Sequence, residues 1–186
     1  ESDLKSKVQI NSKKELFIYS YRVAGTVGLM MAKILNVKDK NSLKSAVDLG
    51  IAMQLTNISR DIIEDSKNNR FYISHNFEAI KETLKTADLF YESCFPSIKK
   101  IPFGFRFSIL VARRVYRKIG QNILKKKSIE NYNNSGKIYV ANTGKIIQTI
   151  LALFDLLRLS LIKDTDHRRY KEHQLINEEI DLDERL

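Results

Sequence analysis

Apolar residues recur every three to four positions along most of the chain, which predicts a protein built from helices. Polar stretches and Gly- or Pro-containing segments separate the predicted helices. Glu15 stands three residues after Ser12, so we expect Ser12 to cap the first helix through a capping box. We expect Ser42 to cap the second helix. The predicted helices span approximately 13–36, 43–66, 76–94, 105–131 and 143–163.

The second predicted helix carries an oxygen-rich stripe in an otherwise apolar sequence. Asn57, Asp61 and Asp65 are spaced four residues apart and lie on nearly the same side of a helix, with Gln54 about one turn earlier. Like charges four residues apart cost an isolated helix roughly 0.2–0.5 kcal/mol. A hard cation such as Mg²⁺ prefers oxygen ligands and would reverse that repulsion. A solvated helix face is the alternative, although the stripe lacks the Lys and Glu residues of such a face.

Composition favours a single helical domain over a disordered chain or a β-sandwich. The 186 residues are 43% hydrophobic and include only seven Gly and two Pro. One cysteine, Cys94, excludes an internal disulfide framework and indicates a reducing compartment. We interpret it as an ordinary buried or half-buried thiol. The three histidines show no zinc-ligand spacing.

Charge divides the chain into a basic body and an acidic tail. The net charge is +10, but eight acidic and four basic residues give 164–186 a charge of −4, which leaves +14 on 1–163. We therefore predict a helical domain over 1–163 and a mobile or weakly helical tail over 164–186. The basic body predicts anionic partners: diphosphates, lipid headgroups or nucleic acid. A genomic bias towards Lys, Asn and Ile codons is the alternative explanation of the excess.

The helix predicted over 143–163 is apolar around most of its circumference. No run of 18 uncharged apolar residues occurs, so a membrane-spanning helix is not predicted. This helix either closes the bundle, which we favour, or lies on a membrane surface with its apolar side buried.

Two motifs resemble signatures of the squalene and phytoene synthases. The segment 19–28 (YSYRVAGTVG) is similar to the family pattern Y-[small]-x-x-V-A-G-x-V-G, and 49–65 is similar to L-G-x-x-x-Q-x-x-N-I-x-R-D-x-x-x-D. The second match continues through 70–73 of an R-x-[FY]-x-P pattern, in which Ser74 replaces the proline. The recognisable resemblance runs from about residue 15 to about residue 145.

The resemblance implies an all-α, isoprenoid-synthase-type helical bundle around a central cavity. In that family two aspartate-rich motifs face each other across the cavity, and Asn57, Asp61 and Asp65 match the second. The first motif normally lies well upstream of the segment that begins here at Tyr19. No other D-x-x-x-D occurs in the sequence. We therefore expect the N-terminal helices of the bundle to be missing and this fragment alone to be inactive.

The activity implied is a Mg²⁺-dependent prenyl transfer, with Mn²⁺ as an alternative ion. Two geranylgeranyl diphosphates would condense head to head through a cyclopropyl diphosphate to phytoene, in carotenoid biosynthesis. By resemblance Asn57, Asp61 and Asp65 ligate the metal, and Asp61, Asp65 and Tyr19 are catalytic. Val27 and Leu49 would join the apolar cavity wall. The substrate-binding residues would be Tyr19, Val23, Gly28, Ala46, Gly50, Met53, Gln54, Arg60, Arg70 and Tyr116, with Arg60 and Arg70 contacting diphosphate.

Three alternatives remain open. An enzyme using farnesyl diphosphate would make squalene, presqualene diphosphate or dehydrosqualene; the sequence has no nucleotide-binding Gly-rich loop, so NADPH is not expected. A non-catalytic relative acting as an assembly factor would be expected to lose the metal ligands. A basic module binding nucleic acid or membranes by charge alone leaves both motifs unexplained, and nucleic acid is not expected. We expect a cytoplasmic location, with peripheral contact at the inner face of the membrane as an option.

Overall fold

The computed structural model describes residues 7–163 and 167–177, and helices make up nearly all of its regular structure. A π-helical turn, Tyr21–Gly25, joins the first two helices without a break, and a 3₁₀ turn, Pro96–Lys100, precedes the fifth. The predicted all-α class is confirmed. The helices are α1 Lys13–Ser20, α2 Thr26–Ile34, α3 Lys40–Lys67, α4 Phe77–Cys94, α5 Phe103–Leu124, α6 Ile129–Asn133, α7 Asn142–Leu161 and α8 Lys171–Asn177.

The two predicted helix caps have different outcomes. Ser12 caps α1 as expected, since its Oγ accepts a hydrogen bond from the Glu15 backbone N–H at 3.1 Å. The other half of the capping box differs, because the Glu15 carboxylate accepts from the Asn11 N–H at 2.8 Å and not from Ser12. The prediction for Ser42 is wrong, because the cap of α3 is Asp39, whose carboxylate accepts from the Ser42 N–H at 2.9 Å. Asp and Ser are both good N-cap residues, so the sequence did not distinguish Asp39 from Ser42. The prediction therefore missed the first three residues of α3.

The helix predicted over 105–131 is divided into α5 and α6. Lys127 adopts a left-handed backbone conformation with φ 64°, which breaks the helix after Leu124. Ser128 then caps α6 by accepting from the Asn131 N–H at 3.2 Å. The turn brings the side chain of Tyr132 into the core against α3.

Helix α3 is the central element and packs against α2, α4 and α5. Its apolar residues form the main core together with aromatic residues of α1 and α4. The buried members include Phe17, Val47, Ile51, Leu55, Ile58, Phe90 and Tyr91. Because α3 is covered on several sides, its polar stripe is held on a rigid support.

Two glycines allow α2 and α3 to approach closely. A Cβ atom on Gly28 would lie 2.1 Å from the Ala46 carbonyl oxygen, and one on Gly50 would lie 2.2 Å from the Ala24 carbonyl oxygen. No side chain fits at such distances, so glycine is required at both positions. Close packing of α2 on α3 thus explains Gly28 in the first motif and Gly50 in the second.

A short parallel β-pair connects the N-terminal segment to the loop after α3. Strand β1, Val8–Gln9, pairs with β2, Arg70–Phe71, in the register Val8 with Arg70 and Gln9 with Phe71. Strands of two residues have no periodicity that a sequence pattern could reveal. The pair fixes the backbone at Arg70.

Helices α2 and α7 each leave an apolar face uncovered in the part of the chain that the structure describes. Helix α7 packs on α5 through Ala152 and Leu159, which confirms its predicted place in the bundle. Its outer side is nevertheless exposed, with Phe154 at 61% and Leu161 at 84% exposure. None of the described helices combines the length and hydropathy needed to span a bilayer.

The described part of the predicted tail lies against the body of the protein. Helix α8 contacts α1, and its His173 and Ile176 are buried. Residues 164–166 and 178–186 lie outside the described residues. The domain boundary at 163 and the mobility of the tail remain predictions.

Candidate functional site

The stripe on α3 holds three oxygen-bearing side chains that are partly shielded from solvent. Ile58 and Ile62 are buried and anchor this part of the helix in the core. The Oδ1 atom of Asn57 is buried and has no hydrogen-bond partner among the described residues. An unpaired buried acceptor typically costs about 1–3 kcal/mol. Its position suits a ligand that supplies positive charge.

The carboxylates of the stripe interact unfavourably in the absence of a cation. Burial raises the pKa of the Asp65 carboxyl to about 6, and the negative charge of Asp61 acts in the same direction. Arg70 and Lys137 partly oppose the rise. A divalent ion would favour the ionised form and give the Asn57 oxygen a partner. The residues present therefore fit a Mg²⁺ ion held by Asn57, Asp61 and Asp65.

Basic side chains surround these carboxylates. The Arg60 guanidinium binds Asp61 with two hydrogen bonds, of 2.8 Å from Nε and 2.5 Å from a terminal nitrogen. Lys137 Nζ lies 2.7 Å from Glu64 Oε2 and 3.6 Å from Asp61 Oδ1. Arg70 is exposed on β2 and acts electrostatically on Asp65. Three cations thus lie close to the carboxylates of this part of α3.

Tyr132 contacts the α3 backbone beside the stripe and was missed by the sequence analysis. Its hydroxyl donates to the carbonyl oxygens of Ser59 at 3.0 Å and Arg60 at 2.8 Å. The side chain is buried, and burial raises its pKa well above the usual value for tyrosine. The residue lies in an Asn-rich segment after α5, with no pattern that indicates contact with α3. It holds the backbone beside Asp61.

Tyr19 forms an aromatic pair with Tyr72. The two rings stack with centroids 4.8 Å apart, and their hydroxyl oxygens are 3.0 Å apart. Tyr116 packs, like Tyr19, against the main core and lies near Arg60, whose pKa is raised chiefly by its hydrogen bonds to Asp61. The structure therefore places Tyr116 near the basic side of the site. The catalytic and binding roles of these tyrosines remain predictions.

Other residues predicted to bind substrate or to line the cavity lie along α3, on the π-helical turn and on α2. Ala46, Leu49, Met53 and Gln54 are half-buried on α3. Val23 and Val27 are exposed, at 38% and 48%. Gly28 and Gly50 lie in the contact between the helices, where they meet backbone atoms. That the glycines leave room for a prenyl chain, and that the other residues bind substrate, remain predictions.

A second group of ligand-type side chains joins α3 to the C-terminal segment. Asp48 Oδ2 lies 2.6 Å from His167 Nε2 and 2.9 Å from His173 Nε2, and Ser93 Oγ donates to the same oxygen. The histidines are 119 and 125 positions away in sequence, so no local spacing predicted the group. Such a trio is able to hold a metal ion.

Hydrogen bonding indicates that this group is a carboxylate–imidazole cluster. The Tyr170 backbone N–H donates to His173 Nδ1 at 2.8 Å. Because Nδ1 is an acceptor, the His173 proton resides on Nε2 and is donated to Asp48. Burial raises the Asp48 pKa, but the hydrogen bonds from His167 and His173 outweigh it and lower the pKa below its usual value. The cluster therefore stabilises an ionised, buried Asp48.

The fold and the α3 site define an isoprenoid-synthase-type helical protein. A solved structure described as a dehydrosqualene synthase in complex with a ligand superposes with a TM-score of 0.67 and 26% sequence identity. The superposition covers 84% of this chain and 60% of that one. The predicted fold type is confirmed.

Sequence comparisons find similarity to one enzyme family. Residues 1–77 match the family model "Squalene/phytoene synthase". A 15-cis-phytoene synthase of Enterobacter agglomerans is 37% identical over 127 residues, which cover 57% of this chain and 43% of the relative. A 15-cis-phytoene synthase of a Paracoccus species is 38% identical over 125 residues, covering 58% and 41%. The chain is therefore similar to squalene and phytoene synthases over much of its length, and it spans less than half the length of these two relatives.

Proposed function

We propose that α3 supplies one half of the metal site of a phytoene synthase-like prenyltransferase. The supporting observation is the unpaired, buried Asn57 oxygen beside two crowded carboxylates, one with a raised pKa. These oxygen donors suit Mg²⁺, with Mn²⁺ as an alternative. Since the chain spans less than half the length of the relatives compared, the activity is proposed for an enzyme of full length.

The chain's own residues would bind the diphosphate and shield the reacting carbons. When bound, the metal would neutralise charge on the departing diphosphate. Arg60 and Arg70 would donate hydrogen bonds to its oxygens, and Lys137 would add a third positive charge. The bidentate contact with Asp61 already orients the Arg60 guanidinium, so little side-chain freedom is lost on binding.

The aromatic and apolar residues near the stripe would protect a carbocation. The ring faces of Tyr19 and Tyr116 carry negative electrostatic potential and would attract positive charge. Leu49, Met53 and Val27 would exclude water from it. The tyrosine pair is held by stacking and by its hydroxyl contact, so the Tyr19 ring has a fixed orientation.

The favoured substrate is geranylgeranyl diphosphate. The enzyme would condense two molecules of it to phytoene through a cyclopropyl diphosphate. The names of the curated relatives support this choice. Farnesyl diphosphate is the second candidate, favoured by the structural neighbour's description as a dehydrosqualene synthase.

Binding experiments on this chain test the metal site directly. We expect Mg²⁺ with inorganic diphosphate to raise the melting temperature more than either alone, because the ion joins the carboxylates to the anion. Asp61→Asn should remove this effect. Glu78→Gln, which changes an exposed acid on α4, should leave it intact. An equal response in Asp61→Asn and the parent chain would exclude Asp61 as a ligand.

An activity experiment separates the two substrates. The chain is fused behind the N-terminal part of the Enterobacter agglomerans relative and supplied with Mg²⁺ and either the C20 or the C15 diphosphate. A C40 hydrocarbon from C20 alone is expected. A C30 product from C15 alone would favour the second candidate. If a folded fusion that binds Mg²⁺ and diphosphate forms neither product, the prenyltransferase proposal is wrong.

A further inference from the structure

A small polar cleft lies between α4, α5 and α7, and its lining residues are all different from those of the α3 stripe. Its volume is about 110 Å³. Every lining side chain is charged or carries an amide: Glu92, Arg113, Arg114, Arg117, Gln121, Gln148, Asp155 and Arg158. Nothing proposed above uses this cleft.

Positive charge exceeds negative charge in the cleft. Arg114 forms a bidentate contact with Asp155, with distances of 2.5 and 2.8 Å. Arg117 contacts Glu92 and also forms a bidentate contact with Asp88, which lies outside the lining. Even with Asp88 included, four guanidinium groups face three carboxylates. Arginine stays charged at any physiological pH, so the excess is permanent.

The excess charge is concentrated around the ring of Phe95. The guanidinium carbons of Arg113 and Arg158 lie 4.7 and 5.1 Å from the centre of this ring. Arg113 donates to the Tyr91 carbonyl oxygen at 2.9 Å and lies 3.5 Å from Glu92. Arg158 forms no ion pair with a described residue. Two cations at one ring repel each other unless an anion lies between or beside them.

Gln148 adds an unpaired amide to the same cleft. Its side chain is on the α7 side that faces α5 and is only 8% exposed. It forms no hydrogen bond with any described residue, and it lines the cleft, so its amide is available to a ligand there. A ligand with several acceptor oxygens would satisfy this amide and the free guanidinium positions together.

We propose that this cleft binds a small oxyanion carrying a phosphate group. Arg158 and Arg113 would donate to its oxygens, since the planar guanidinium matches a phosphate edge, and the Gln148 amide would donate a further hydrogen bond. Free phosphate or diphosphate and the headgroup of phosphatidic acid share this chemistry. The proposal is independent of the prenyltransferase proposal.

The test measures melting temperature and binding in EDTA, so that the α3 metal site does not contribute. Phosphate and diphosphate are compared with chloride at equal ionic strength, and vesicles of phosphatidic acid with vesicles of phosphatidylcholine. We expect at least tenfold weaker phosphate binding in Arg158→Gln and in Gln148→Leu. Glu92→Gln should bind more tightly, because it removes a competing carboxylate. Arg169→Gln, an exposed substitution with the same charge change, is the control.

The outcomes separate the sources of the phosphate group. A response to the free anions that Arg158→Gln loses supports a site for soluble phosphate. A response confined to phosphatidic acid, and lost in the same variant, supports a lipid headgroup. Equal effects of phosphate and chloride, or equal losses in Arg158→Gln and Arg169→Gln, would overturn the proposal. Arg158 is exposed, so its variant should fold normally, which circular dichroism checks.

Discussion

At the scale of single residues, the side chains of the α3 stripe are good metal ligands but contribute unfavourably to the stability of the fold. Asn57 offers a buried oxygen without a partner among the described residues. Burial and the negative charge of Asp61 both disfavour the ionised form of Asp65. Such an arrangement is unfavourable in a protein that uses it only as a helix face. Strongly perturbed carboxylates in a partly buried cluster are instead typical of functional sites.

Asp65→Asn is expected to stabilise the metal-free chain at pH 7.5. The folded-state pKa of about 6 lies above the ordinary value of 3.8, so ionised Asp65 lowers the free energy of unfolding above pH 6. We expect a gain of about 1 kcal/mol, because solvent screens much of the interaction. Thermal unfolding should show the gain at pH 7.5 and lose it below about pH 4.

The same variant should lose the stabilisation that Mg²⁺ gives the parent chain. Glu78→Gln provides the control, with no change in either measurement. If metal-free Asp65→Asn melts at a lower temperature than the parent chain at pH 7.5, Asp65 makes a net favourable contact, and the argument from repulsion is wrong.

At the scale of helices and their contacts, the close approach of α2 and α3 depends on glycine. Gly50→Ala would place a methyl group 2.2 Å from the Ala24 carbonyl oxygen, so the helices must separate. We expect a loss of at least about 2 kcal/mol, in the range of overpacking substitutions. Urea unfolding measures it. Gly104→Ala is the control, because a Cβ there has no neighbour within 4 Å. Equal effects of the two would contradict the packing argument.

Tyr132 joins α6 to the carbonyl oxygens of α3 beside the stripe. Tyr132→Phe removes the hydroxyl and should cost about 1 kcal/mol, the usual net contribution of one buried hydrogen bond. Tyr139→Phe, in an exposed tyrosine of the same segment, should change nothing. Chemical denaturation compares the two variants, and a neutral Tyr132→Phe would show that ring packing alone positions α6.

At the scale of the whole molecule, the Asp48 cluster fastens the C-terminal segment to the centre of the bundle. His173→Ala leaves the buried carboxylate with one donor fewer and should release α8, at a cost of about 1–3 kcal/mol. Hydrogen exchange should then increase in Lys171–Asn177. His75→Ala, in an exposed histidine, is the control. Unchanged protection of α8 would show that Ile176 suffices to hold it.

The cluster also predicts how acid affects the fold. Asp48 has a lowered pKa, so its contribution to stability is present above the ordinary value of 3.8 and is lost as the pH falls through the lowered value. We expect unfolding free energy to decline below about pH 4 with a shallower slope in Asp48→Asn. Denaturant titrations from pH 7 to pH 3 measure both slopes, and identical slopes would contradict this prediction.

Local features of this molecule could be predicted from sequence, whereas contacts between distant segments could not. The stripe lies within one helix, so a spacing of four residues was enough to place Asn57, Asp61 and Asp65 together. The Ser12 cap depends on neighbours three residues apart. By contrast, Asp48 meets histidines more than a hundred positions away, and the carbonyl oxygens bound by Tyr132 lie over seventy positions back.

The π-helical turn Tyr21–Gly25 changes which side of the continuous helix α1–α2 faces the core. Each residue advances a regular helix by about 100°, so one extra residue in a turn rotates everything beyond it by that amount. Deleting a single residue there would leave a smooth helix that swings Gly28 away from Ala46 and points a bulky neighbour at α3 instead. The orientation of α2 thus depends on a residue count, so a deletion too short to break the helix would still misalign the pair.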